Sequence, residues 1–176
     1  MVKTYSITKY NPIYRNENGV YEREEWTSIC DIGKMIGGQI LSKKDYLDVE
    51  ESYVRAVELL LEYHGIDKLI IMQLEKHSNL SSVESSIMGY DHNIYSDEII
   101  KAYHRCEEGL VIPKAGVNLY CKLILRENIW SILYSREIHF VVIFGYDYYM
   151  KVICPKISEA VIAQIESNGL FVEFQK

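Results

Sequence analysis

The sequence predicts an α+β fold, with a small mixed or mostly antiparallel sheet of about five strands and helices packed mainly on one face. Three observations support this prediction. Apolar residues recur at helical spacing behind serine caps, short β-prone runs separate these segments, and two such runs flank Gly145 as a hairpin. Because 176 residues with 48% hydrophobic content can bury one core, we expect a single domain over 1–176.

The first element is a predicted strand, because residues 4–10 alternate and are β-prone before Pro12 interrupts them. The next segment, 20–38, places Trp26 and Ile29 at helical spacing. Its three glycines weaken a helix, yet the spacing predicts a short one.

The clearest element is a helix over 43–64. Ser42 and Asp45 have the spacing of a capping box, and Gly65 is a typical residue just past a helix end. The apolar run that follows predicts a buried strand over 68–74. The serine-rich stretch after it, from His77 to about Tyr95, is predicted to be a long exposed loop.

Two more helices are predicted in the middle of the chain. The first spans 97–108, with Ser96 as its cap and Gly109 past its end. The second spans 117–135, where an apolar stripe recurs at helical spacing.

The C-terminal third is predicted to be a hairpin followed by a helix and a strand. The hairpin strands are 136–144 and 148–154, with a turn at Gly145 and an end at Pro155. Ser158 caps the helix 159–167, and residues 170–174 form the closing strand.

Composition excludes several classes of function. The chain has 19 basic and 25 acidic residues and a net charge of −6, so its average field repels nucleic acids. The longest apolar runs, such as 140–144, are far shorter than the roughly 20 residues that span a bilayer, and no signal-peptide pattern opens the chain. We therefore expect a cytoplasmic protein that binds neither nucleic acid nor membrane.

The sequence shows no motif for a metal, a cofactor or a catalytic centre. The four cysteines are widely spaced, with no CxxC pair, so neither a metal site nor a disulfide framework is expected. Lys34 precedes the pair Gly37-Gly38, which is the wrong order for a phosphate-binding loop. The first candidate for a catalytic side chain is His92, which follows Asp91 in the predicted loop.

Tyrosine is the compositional anomaly, with 15 residues in the chain. A tyrosine offers a rigid apolar ring with a hydrogen-bonding tip, which suits protein interfaces. Those on helix stripes, such as Tyr46, Tyr53 and Tyr120, are expected in the core, whereas one of Tyr148 and Tyr149 must face away from it. The predicted partner-binding residues are Tyr146, Asp147, Tyr148, Tyr149, Tyr90, Asp91 and Tyr95.

A resemblance points in the same direction. Three motifs, KYNP at 9–12, WTS…DIG at 26–33 and FGYDYY at 144–149, resemble a group of small bacterial proteins of uncharacterised function. Similar small acidic cytosolic proteins occur as immunity proteins beside polymorphic toxins. The resemblance implies a binding protein and transfers no catalytic residue.

The leading hypothesis is a non-enzymatic protein-binding protein of the immunity or antitoxin type, whose acidic and aromatic side chains suit a basic toxin domain. The alternative is a small-molecule-binding domain or an enzyme with a pocket between sheet and helices, to which His92, Asp91 or Cys106 would contribute. A free sheet edge also gives a route to a homodimer.

Overall fold

The computed structural model describes residues 2–77 and 94–175. Seven strands form one antiparallel sheet in the order β5-β4-β6-β7-β8-β1-β9, and β2 and β3 form a separate hairpin. The strands are β1 (Val2–Thr8), β2 (Met35–Ile36), β3 (Gln39–Ile40), β4 (Lys68–Lys76), β5 (Val111–Pro113), β6 (Ile129–Ser135), β7 (Phe140–Phe144), β8 (Tyr149–Pro155) and β9 (Phe171–Gln175). The helices in these ranges are α1 (Lys43–His64), α2 (Asp97–Arg105), α3 (Val117–Leu125) and α4 (Glu159–Ser167).

The α+β class is confirmed, and the antiparallel sheet is larger than the predicted one of about five strands. The two additional strands are β5 and β6, which the sequence pattern did not separate from a connection and a helix. Within the described ranges, no helix is both long enough and apolar enough to cross a membrane.

Helix α1 begins and ends where the sequence predicts. The side chain of Ser42 accepts a hydrogen bond from the backbone N–H of Asp45. Gly65 ends the helix with φ 65°, a left-handed conformation that glycine adopts without a steric cost. These local interactions explain why this boundary could be placed from sequence alone.

The predicted helix over 117–135 is wrong in its second half. Helix α3 ends at Leu125, Glu127 has φ 61°, and the chain continues as β6 from Ile129. In β6 the buried residues alternate with half-exposed ones, which is the period of a strand. Pairing with β4 and β7 on its two sides supplies the hydrogen bonds that override the helical spacing.

The predicted short helix in 20–38 is also wrong. The segment forms one turn of 3-10 helix, Ile29–Asp31, and then the hairpin of β2 and β3. Gly37 and Gly38 lie between these strands with φ 57° and 82°, as a two-residue hairpin turn requires. The glycines therefore serve a hairpin turn.

The helices cover one face of the sheet. Helix α1 packs there through Tyr53 and His64, whose rings lie near those of Phe144 and Phe140. The side chains that alternate with these along the strands, and so point to the other face of the sheet, are only partly buried. The fully buried strand residues on the covered face include Leu69, Ile71, Leu133, Val142 and Val152.

A bulge bends β4 between Met72 and Glu75. Gln73 has φ 54°, and the carboxylate of Glu108 accepts hydrogen bonds from the backbone N–H groups of Gln73 and Leu74 at 3.0 and 2.7 Å. The bulge leads the strand to His77, whose N–H donates to the carbonyl of Asn128. This end of β4 is thereby placed beside the connection between α3 and β6.

Candidate functional site

The candidate site is a cleft of about 640 Å³ with three walls, and His77 at the end of β4 also lines it. One wall is the turn between β7 and β8, a second is the end of α3 with the connection to β6, and a third is the segment 27–30. The lining of the cleft is mostly apolar and includes several polar side chains. The apolar residues include Ile124, Leu125, Ile129, Trp130 and Phe144, and the polar ones include Ser28, Cys30, His77, Arg126, Glu127 and Asp147.

The turn between β7 and β8 presents two of the predicted residues to solvent. Tyr146 is 92% exposed, and Asp147 beside it is exposed as well. Asp147 and Tyr148 have φ 57° and 62°, values that are rare for residues other than glycine. Both residues line the cleft. The backbone at this wall is therefore strained, and contacts with the surrounding structure must maintain that strain.

Gly145 has a different role from the one that a turn glycine usually has. Its φ is −80°, which any residue can adopt. A Cβ atom at this position would lie 3.0 Å from the backbone oxygen of Tyr149, which accepts a hydrogen bond from the N–H of Gly145 at 2.7 Å. Glycine is therefore required here for the close approach of two backbone segments.

Tyr148 is buried and holds this turn in place through hydrogen bonds. Its hydroxyl donates to the carbonyl of Leu125 at 2.9 Å and lies 3.2 Å from the hydroxyl of Tyr46. Its own carbonyl accepts a hydrogen bond of 2.5 Å from Tyr53. Burial and the nearby charge of Glu50 outweigh the hydrogen bond with Tyr46 and raise the pKa of Tyr148 well above its ordinary value, so its hydroxyl stays protonated as a donor.

A buried ion pair supports the second wall. The guanidinium of Arg126 donates two hydrogen bonds of 2.6 Å to the carboxylate of Glu50, and a third of 2.5 Å to the carbonyl of Ile94. Burial alone would lower the pKa of Arg126, but the hydrogen bonds and charge of Glu50 outweigh it and raise that pKa. All of these contacts hold the connection between α3 and β6 in place.

The third wall is fixed by Trp26 and by a 3-10 turn. The ring of Trp26 packs on Tyr148 and Tyr46, with centroids 4.9 and 5.5 Å apart. Ser28 and Asp31 form a capping box at the start of the turn Ile29–Asp31. Burial raises the pKa of the Asp31 carboxyl, but the N–H groups of Thr27 and Ser28 and the ammonium of Lys34 lower it by more.

The structure separates the predicted partner-binding residues into three groups. Tyr146 and Asp147 are exposed at the cleft, and Tyr149 is partly exposed and stacked on Tyr10 at 5.1 Å. Tyr148 and Tyr95 are buried, so they can act on a partner only through the residues that they position. Tyr90 and Asp91, like His92, lie outside the described residues.

Cys106, the third residue predicted to contribute to a pocket in the alternative function, lies among the described residues and is buried. Burial raises the pKa of the Cys106 thiol to about 11, so this thiol is protonated at neutral pH and is a poor nucleophile. Within 2–77 and 94–175, no group of three or more His, Cys, Asp or Glu residues is placed to hold a metal ion. The predictions that the chain uses no metal or cofactor remain predictions.

Sequence reasoning missed most of the cleft. Arg126, Glu127 and Trp130 lie in the middle of the predicted helix over 117–135, so the sequence alone does not place them beside the turn at Gly145. Two signals were available: the polar run 126–128 interrupts the apolar stripe, and the run 129–134 after it is rich in isoleucine and aromatic residues, which favour strands.

Comparisons with known protein families, with curated proteins and with solved structures found no match.

Proposed function

We propose that the protein is a non-enzymatic binding protein that receives a partner protein at this cleft, in the manner of an immunity protein that covers a toxin domain. The observation that carries the proposal is the state of Tyr146. A tyrosine that is 92% exposed has no role in packing, yet the turn that presents it is held by buried hydrogen bonds of Tyr148. Such a rigid aromatic side chain loses little conformational entropy on binding.

The charge around the cleft favours a basic partner. Asp147 stands next to Tyr146, and Glu127 lines the opposite wall. The net charge of −6 adds an average field that attracts cations over longer distances. A Lys or Arg side chain of the partner at these carboxylates, with an apolar side chain in the cleft, would use both features.

The test starts with the partner's identity. The protein is immobilised, proteins of the source cell that it retains are identified by mass spectrometry, and the tightest is purified for calorimetry. We expect Tyr146→Ala to weaken that binding by at least about tenfold, as interface anchors do. Asp147→Asn should slow association and reduce its dependence on salt.

Tyr63→Ala is the matched control, because Tyr63 is an exposed tyrosine of α1 and does not line the cleft. It should leave the affinity within about twofold. Unchanged affinity in both Tyr146→Ala and Asp147→Asn would contradict the proposal. A toxin partner whose activity persists in the complex would contradict the inhibitor role alone.

A second candidate function rests on the size of the cleft. A volume of about 640 Å³ with an apolar lining and a few polar groups is typical of small-molecule sites. In this function Ser28, Cys30 and His77 would orient the ligand. A thermal-shift screen of metabolites distinguishes it, because a ligand in the cleft must raise the melting temperature, and Trp130→Ala should abolish that shift.

A further inference from the structure

The face of the sheet that the helices of residues 2–77 and 94–175 leave uncovered is apolar over five strands. The strand register places Ile70, Tyr134, Val141 and Ile153 side by side. A second row, one pair of residues further along, holds Met72, Ile132 and Ile143. With Val111 of β5, which pairs with Ile70, these residues define the open face: Ile70, Met72, Val111, Ile132, Tyr134, Val141, Ile143 and Ile153.

This composition differs from what an antiparallel sheet usually shows. A sheet with one solvated face normally alternates apolar residues toward the core with polar residues toward water. Here the outward positions of β6 and β7 are apolar throughout, and they are only partly buried, while Val111 is 53% exposed. A contiguous apolar patch that stays partly exposed over several strands is a feature of interaction surfaces.

Polar features border the open face. Lys151 is exposed on β8 in register with Ile143, and beyond it Arg15 is paired with Glu173 at 2.6 Å. Along β4, Lys68 and Glu75 lie on this face at opposite ends of the strand, on either side of Ile70 and Met72. On the open face β4 therefore carries a basic side chain near one end and an acidic side chain near the other.

We propose that a second copy of the chain docks on the open face, so that two sheets pack face to face in a homodimer. A two-fold axis that lies between the sheets and runs across the strands sets each β4 antiparallel to its counterpart. This arrangement places Lys68 opposite Glu75 of the partner subunit, and Glu75 opposite the partner subunit's Lys68. The charges at the two ends of the strand thus make the face complementary to itself.

The charged groups are accessible to a partner. Lys68 Nζ lies 3.7 Å from the carboxylate of Glu137, and His77 lies 3.8 Å from that of Glu75, with all four side chains at least half exposed. Exposed pairs of this kind are weak, so they can exchange partners at little cost.

The size of the face fits a modest dimer. Five strands spaced by about 4.8 Å and about 20 Å of strand length give roughly 480 Å² per copy, or about 1,000 Å² in total. This is the lower bound for a specific interface, so we expect a dimer that dissociates on dilution. The dimer goes beyond the proposed function, because its interface is built on the sheet face, and Tyr146 is not among the residues that define that face.

The experiment is sedimentation equilibrium of the full chain, from about 1 µM to 1 mM, the range over which a modest interface is populated. We expect a concentration-dependent dimer in the wild type. Ile143→Lys places a charge at the centre of the open face and should weaken association by at least about 100-fold. Tyr63→Lys, on the helix side, should stay within about twofold of the wild type, and circular dichroism confirms that each variant is folded.

Charge reversal tests the arrangement without changing an apolar residue. Lys68→Glu or Glu75→Lys alone should weaken the dimer by about tenfold, because each places like charges opposite one another twice. The double variant Lys68→Glu with Glu75→Lys restores both attractions and should restore the affinity. A wild type that remains monomeric at every concentration overturns the proposal, as does binding of the monomer to anionic lipid vesicles through this face. Failure of the double variant to recover overturns the antiparallel arrangement.

Discussion

Arg126, which lines the cleft, forms a bidentate ion pair with Glu50, and the two side chains are only 3% and 1% exposed. The pair joins the middle of α1 to the connection between α3 and β6, which is one wall of the candidate site. Because both charges are removed from water, each depends on the other.

The first prediction concerns this pair. Glu50→Ala leaves the Arg126 guanidinium buried without its counter-charge and should lower the free energy of unfolding by about 3–5 kcal/mol. Urea denaturation measures the change. Asp48→Ala is the control, because its pair with Lys44 is exposed and should contribute less than about 1 kcal/mol. A loss in Glu50→Ala no larger than in the control would mean that water reaches the pair.

Tyr148 gives a second prediction. Tyr148→Phe keeps the ring in its contact with Trp26 but removes the hydroxyl that donates to Leu125. The carbonyl of Leu125 then keeps the weaker contact with Tyr46 at 3.5 Å, so the free energy of unfolding should fall by about 1–2 kcal/mol. Tyr146→Phe removes an exposed hydroxyl and should change stability by less than about 0.5 kcal/mol. Equal effects of the two substitutions would show that the buried hydroxyl contributes nothing.

Backbone strain outside the site is a third test. His139 lies in the turn between β6 and β7 with φ 52°, where a side chain is unfavourable. His139→Gly should raise the free energy of unfolding by up to about 1 kcal/mol, because glycine removes the steric cost of a left-handed backbone. Arg136→Gly in the same turn, where φ is not positive, should be neutral or destabilising. Thermal denaturation of the two variants side by side gives the comparison, and stabilisation by both would refute the role of φ.

The fourth prediction is a pH dependence. Burial lowers the pKa of His64 below its ordinary value of about 6.5. Between the folded-state pKa and 6.5 the unfolded chain binds more protons, so the contribution of His64 to stability is complete above about pH 6.5 and is lost as the pH falls below it. The wild type should therefore lose more stability than His64→Gln between about pH 7.5 and pH 5.

His104→Gln provides the control for that titration, because His104 is exposed at the end of α2. It should follow the wild type over the same pH range. Identical pH profiles for the wild type and His64→Gln would contradict the prediction.

Part of the candidate site could be predicted from sequence. Tyr146 and Asp147 could be predicted as contact residues because they follow Gly145 in a hairpin turn. The alternation of the strand after them required one of Tyr148 and Tyr149 to face away from the core. Tyr149 is the one that does. Which further residues surround the turn could not be predicted, because Arg126 and Trp130 approach it only through pairing of distant strands.

By itself, the sequence determined the features that depend on interactions between neighbours in the chain. Ser42, Ser96 and Ser158 each cap a helix through a bond to a residue three positions ahead, and Gly65 ends the longest helix. The tertiary structure decided between the two conformations that the apolar run 129–135 can adopt, because the hydrogen bonds that select a strand over a helix come from β4 and β7. It also decided that Tyr148 supports a turn and Tyr146 projects from it, because burial is set by the elements that pack on a residue and not by its neighbours in sequence.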